Sequence, residues 1–116
     1  MAETEPDPQI RIAVLSPLAA WDLAENYLYT KQTWGVSQAE KYTAFLRAEI
    51  ENVLNNLNLG RPIQDRPERF SHFAKWGNAK NGHYIVFRRT QSGIYVLRIL
   101  HSAMDLANHI SSDVEF

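Results

Sequence analysis

The sequence predicts an α+β domain in the order β-α-α-β-β-β-α, with a helical hairpin packed on one face of a small, mainly antiparallel sheet. Three observations carry that expectation. In the first half of the chain, apolar residues recur at the three- and four-residue steps of a buried helical stripe. The second half changes to two-residue alternation interrupted by turn-rich links. Helical and strand-like stretches also fall in separate blocks, which marks segregated layers rather than alternating βαβ units.

Residues 1–8, MAETEPDP, hold three acids and two prolines and are expected to form a disordered acidic tail. QIRIAVL, from Gln9 to Leu15, alternates as a strand does. Ser16 can cap the free amides of a following helix, and Pro17 suits its first position. That helix runs to about Thr33 and aligns Leu18, Trp21, Ala24 and Leu28 as its inner stripe, with Trp21 in the core. Gly35 stops it, and Ser37-Gln-Ala-Glu40 reads as a capping box for the next helix. The second helix has the clearest period in the chain, through Tyr42, Phe45, Leu46, Ile50, Val53, Leu54 and Leu57. Gly60 sits where a left-handed terminal residue is needed, and the short link makes the helices an antiparallel hairpin.

RPIQDRPER, with its two prolines, reads as a loop. Three strands follow, at about Arg69–Trp76, Gly82–Arg89 and Ile94–His101, joined by the turn-rich GNAKN and TQSG. A short terminal helix, Ala103–Ile110, offers the apolar pair Leu106 and Ile110, and residues 111–116 fray. The domain therefore spans residues 9–110. At 116 residues and 45% apolar composition, one core is expected, and a two-lobed enzyme with its own nucleotide fold is excluded. Without cysteine there are no disulfides, thiolate metal sites or cysteine nucleophiles. The acidic start does not suit a signal peptide, and no apolar run approaches the roughly 20 residues of a membrane span, so a cytoplasmic protein with no membrane partner is expected.

A net charge of −1 hides an asymmetry. Residues 1–59 hold eight acids and four bases, residues 60–101 two acids and eight bases, and residues 102–116 three acids. The basic block suggests an acidic partner; its bland counterpart is a sheet with solvated arginines. Strand parity assigns Tyr95, Leu97 and Ile99, with Ile85 and Phe87, to the helix side, because those sets carry no arginine. The other face then shows Val86, Val96 and Leu100 beside Arg88 and Arg98, an open surface unless the terminal helix folds over it.

Three strings in order resemble the RelE/ParE family of type II toxins, in its ParE-like branch. They are RIAVLSPLAAWDLAENYLYTKQTWG, then SQAEKYTAFLRAEIENVLNNLNLGRP with its Leu59-Gly60-Arg61-Pro62 stop, then the signature Arg98-Ile-Leu-His101-Ser-Ala-Met104-Asp105. The resemblance covers roughly residues 9–110. It implies a toxin that inhibits DNA gyrase, blocks replication and is neutralised in a hetero-oligomer by a cognate, ParD-like antitoxin, touching nucleic acid only indirectly. The alternative from the RelE-like branch is a ribosome-dependent messenger-RNA endoribonuclease; a second is a degenerate toxin kept as a binding module. Ribonuclease chemistry needs an acid, a base and a cation on the phosphate. His101, Arg88 and Arg98 are its only candidates here. Where the ribonucleases carry an arginine in the penultimate strand, this sequence has His83-Tyr84. The expectation is therefore no catalytic residue and no cofactor.

Partner binding is expected at Arg88, Arg98, Val96, Leu100, Trp34 and Trp76. His101, Met104 and Asp105 are read as structural: a corner hydrogen bond, a gap-filling side chain and a charge at the start of the terminal helix. His72, His83 and His109 lack ligand-type neighbours at helical spacing, so no metal site is expected.

Overall fold

A computed structural model describes residues 11–56 and 58–103. Its elements are β1 (Ile12–Leu15), α1 (Pro17–Trp34), α2 (Val36–Asn55), β2 (Arg61–Ile63), β3 (Arg66–Ala74), β4 (His83–Thr90) and β5 (Gly93–His101). The five strands form one sheet in the order β1-β5-β4-β3-β2, with β1 parallel to β5 and every other neighbour antiparallel. The α+β class and the hairpin on the sheet are as expected. The acidic tail and nearly all of the expected terminal helix, Met104 and Asp105 included, lie outside the described residues, and Ala103 itself is in a turn.

Ser16 ends β1 and begins α1. Its Oγ accepts from the Ala19 amide at 3.0 Å, the capping contact expected, with Pro17 at the first helical position. The same Oγ donates to the Leu97 carbonyl at 2.8 Å, and the Ser16 amide donates to the Val96 carbonyl at 2.8 Å. The inner stripe of α1 is Ala19, Leu23 and Thr30, and the expected stripe is corrected: Trp21 is 62% exposed, and Ala24 and Leu28 also face outward. The helix lies across both α2 and β5, and the residues that meet this joint surface are displaced from the apolar stripe read in the sequence.

Gly35 ends α1 at φ 97° and directly begins α2, so Ser37 is already helical and the capping box is not formed. Ala39, Leu46, Ile50, Val53 and Leu54 form the buried side of α2, with Tyr42 and Phe45 against the same core. Helix α2 ends at Asn55, ahead of the expected stop. Gly60 does hold φ 98°, but as the entry to β2, where an added Cβ would come within 2.7 Å of the Phe87 ring.

The expected loop RPIQDRPER is instead a hairpin of β2 and the start of β3. Ile63 pairs with Arg66 and Pro62 with Phe70, so an irregularity holds Pro67 and Glu68, the latter at φ 62°. Prolines are tolerated in such a place and on an edge strand, which is what β2 is.

A second irregularity corrects the assignment of faces. On β5, Val96 pairs with Phe87 and Arg98 with Val86, so Leu97 is an extra residue that inverts the alternation. Ile94, Val96 and Ile99 join Ile85 and Phe87 in the core beneath the helices. Leu97 joins Val86 and Leu100 in a smaller cluster on the other face, with Ile63, Tyr84 and Tyr95 against it. That face is not an open apolar surface: Val86, Leu97 and Leu100 are all buried.

Ser16→Ala removes the cap and the contact to the extra residue in a fully buried position. It should cost about 1–3 kcal/mol and lower Tm by roughly 5–15 °C. A melt at the wild-type temperature would contradict this account of the joint.

Candidate functional site

Strand β1 stops at Leu15, so the end of β5 from Leu97 onward, paired with β4 on one side, has no strand on its β1 side. Asp22, in the second turn of α1, fills that gap. Its carboxylate accepts from the Ile99 amide at 2.8 Å, from Arg98 Nε at 2.9 Å and from a terminal Arg98 nitrogen at 3.0 Å. Both side chains are largely buried, at 14% and 10% exposure, so the pair is shielded and forked rather than a solvated contact. Arg98, expected on an open face, is thus engaged with α1.

Beyond this clamp the helical hairpin meets the ends of β3, β4 and β5. Tyr42 of α2 packs on Phe45, Trp76 and His83, and Trp76 stacks on Phe45 with centroids 5.9 Å apart. The Tyr42 hydroxyl lies 2.7 Å from Nδ1 of the buried His83. Burial pushes the tyrosine up to about 12 and the histidine down to about 4, the latter helped by the neighbouring His101. At neutral pH the tyrosine is therefore protonated and the histidine uncharged, so the two share a neutral hydrogen bond whose direction is set by the histidine tautomer. His101 sits edge-on to His83 at 5.2 Å, and its Nδ1 accepts from the Ala103 amide at 3.0 Å. Ser102 closes the same corner by donating its amide to the Gly82 carbonyl and accepting from the Gly82 amide.

These groups line a cleft of about 520 Å³ that also takes in Trp34, Trp76 and Lys41. A neighbouring cleft of about 540 Å³ runs past Trp21, Glu25 and Arg98, and the two share Asn26, Tyr29, His83 and His101. The structure brings Trp34, Trp76 and His101 together. Arg88 stands apart, on the face away from the helices, with its guanidinium 4.9 Å from the Tyr95 ring centre. Val96 is in the core under the helices and fully buried, so its expected place on a partner surface is corrected, and Leu100 is buried too. Sequence reasoning missed Asp22, Tyr42 and His83 as site residues. Asp22 carried a signal: an acid on the same helix as Trp21, six residues after the Ser-Pro start.

His83 is uncharged and occupied by Tyr42, no carboxylate among the described residues lines the half that holds Trp34, and Arg88 is across the sheet from His101. Among the described residues, no three His, Cys, Asp or Glu side chains gather as metal ligands.

Comparison with known proteins shows the fold to be that of a small type II toxin. The family model described as the ParE toxin of the type II toxin–antitoxin system parDE matches residues 13–106. The chain is similar to Toxin ParE1 of Caulobacter vibrioides, at 30% identity over 83% of this chain and 94% of that one. It is also similar to Toxin ParE1 of Mycobacterium tuberculosis, at 31% identity over 84% and 95%. A solved structure titled as the chromosomal ParDE TA system from P. aeruginosa shares the fold, with a TM-score of 0.64 and 21% identity over 78% of this chain and 95% of that one. The chain belongs to the ParE toxin family.

Two outcomes follow from the site. Asp22→Ala leaves the Arg98 guanidinium and the Ile99 amide without their shared acceptor and should cost about 2–4 kcal/mol, read by denaturant unfolding; a loss under about 0.5 kcal/mol contradicts the clamp. For His83, the unfolded histidine binds a proton near 6.5 and the folded one only near 4. Its effect on stability is therefore nil above roughly pH 6.5, grows as a loss between 6.5 and 4, and levels off below, at roughly 3 kcal/mol at most. Thermal melts across that range should show the slope, and His83→Gln should flatten it; a slope that survives the substitution counts against the assignment.

Proposed function

We propose that this chain is a toxin that inhibits DNA gyrase in the cytoplasm, blocks replication, and is held inactive in a hetero-oligomer by a cognate, ParD-like antitoxin. Its family membership supports the antitoxin, and the solved neighbour is itself titled a ParDE system. The observation that carries the choice of target is the scatter of the only ribonuclease candidates. Arg88 is on the helix-free face, Arg98 is forked onto Asp22, and His101 holds the corner through Ala103. Cleavage of RNA needs an acid, a base and a phosphate-binding cation converging on one point. Inhibition of a protein target needs only a surface. Arg88, Trp34 and Trp76 are the residues of the sequence-read set that we assign to partner contacts.

The test is the purified toxin, freed of antitoxin, in two assays: DNA supercoiling by gyrase, and messenger-RNA cleavage on programmed ribosomes. Supercoiling should be inhibited, and inhibition should be relieved by the antitoxin. His101→Gln, which can keep a corner hydrogen bond, should leave inhibition within a few-fold of wild type, whereas loss of a general acid costs about 10²–10⁴ in rate. Codon-specific cleavage with supercoiling untouched would overturn the proposal.

A further inference from the structure

A free sheet edge is a template for another strand, and this sheet blunts its edges unevenly. The edge strand β2 carries Arg61, Pro62 and an irregularity, and Asp22 takes the open end of β5. The opposite edge, β1, is Ile12-Ala-Val-Leu15, with no charge and no proline. The Ile12 amide donates to the Ser92 carbonyl and the Ser16 amide to the Val96 carbonyl, both at 2.8 Å. By the alternation of a strand, the amides and carbonyls of Ala13 and Leu15 point away from β5, and among the described residues nothing bonds to them.

The surfaces that flank this edge are apolar too. Ala13 and Leu15 pack on the core beneath the helices, so Ile12 and Val14 lie on the other face, where they are 51% and 49% exposed. On the helix side, a cleft of about 430 Å³ is lined by Leu15, Ala24, Tyr27 and Leu28, with Arg47 as the one charge among its described residues. Ala20, Ala24 and Leu28 face the flank of α1 opposite Asp22, Asn26 and Tyr29, so this cleft is separate from the two that take in Trp21 and Trp34. An uncharged edge with apolar surface on both faces calls for a partner strand of the same kind, and the chain itself has one.

We propose that β1 pairs antiparallel with β1 of a second copy of this chain, about a two-fold axis through Val14. Ala13 of each copy then exchanges both hydrogen bonds with Leu15 of the other, and every outward amide and carbonyl of the two strands is taken. The two Val14 side chains meet across the axis on the helix-free face. The axis stands perpendicular to the sheet, so both helical hairpins lie on one side and each α1 brings Leu28 towards the apolar cleft of the other copy. The clefts past Trp21 and Trp34 stay open on the far flank. Strands this short place the contact at the small end of stable interfaces, about 1,200 Å² in total, with a Kd of about 1–100 μM. The dimer goes beyond the gyrase reading and does not depend on it.

Sedimentation equilibrium of the purified full chain, without any other protein, should show a monomer–dimer equilibrium in that range. Val14→Lys sets like charges against each other at a half-exposed position and should raise the Kd by about tenfold or more. Trp34→Ala, on the far flank, should change it by less than about threefold. Cross-linking reads the register, because the chain has no cysteine of its own. Two copies of Val14→Cys would lie with Cα atoms about 4.5 Å apart and should be trapped by oxidised glutathione as a disulfide-linked dimer. Two copies of Ile12→Cys would stay about 13 Å apart and should remain largely unlinked. A wild type still monomeric at about 500 μM overturns the proposal. So does a dimer that Val14→Lys leaves intact, or one in which Ile12→Cys links as readily as Val14→Cys. None of these outcomes bears on supercoiling, so the two readings fail separately.

Discussion

The interaction on which the rest of the structure depends is the grip of the β1–α1 joint on the extra residue of β5. Ser16 takes the Val96 and Leu97 carbonyls, and Asp22 takes the Ile99 amide and the Arg98 guanidinium. Together they satisfy the backbone of β5 where β1 has ended and the alternation breaks. An unpaired strand edge is a template for another chain, and an unsatisfied buried amide is expensive. One serine and one aspartate, six residues apart on the turn into α1, meet both problems and fix the helix on the sheet.

The position of α1 in turn makes the binding surface. With Ala19 and Leu23 facing the sheet and Asp22 locked to its edge, Trp21 and Tyr29 face away from the core and line the cleft beside Arg98. The floor is set from α2, where Tyr42 holds the uncharged His83 and packs Trp76. The outcome is an aromatic, hydrogen-bonding surface in which His83 is uncharged at neutral pH.

Much of this was legible in the sequence, and the failures have physical causes. The hairpin, the strands of the second half and the Ser16 cap follow from period and capping chemistry, which are local. The inversion of faces at Leu97 was invisible because one inserted residue changes no composition and breaks no apolar run; Ile94 to Leu100 reads as a strand in either register. β2 was hidden by Pro62 and Pro67, which signal a loop unless the strand is known to be an edge. Trp21 was misplaced because its size and spacing on α1 argue for burial, while the actual contact surface of α1 is a joint one with α2 and β5. His83 and the hydroxyl of Tyr42 were not legible as a pair because they are 41 residues apart and meet only in the fold.

The most direct measurement of the clamp is native-state hydrogen exchange at the Ile99 amide, compared with the amides of Ile85 and Phe87 in the core of β4. Ile99 is paired with Ile85 of β4 but has no strand on its β1 side, where its amide donates to Asp22, so its protection depends on that carboxylate. If the joint governs the fold as described, Ile99 exchanges as slowly as the β4 core in the wild type, and Asp22→Asn accelerates it far more than it does Ile85. If Ile99 instead exchanges at the rate of a frayed strand end in the wild type, the joint does not hold β5 and the account fails.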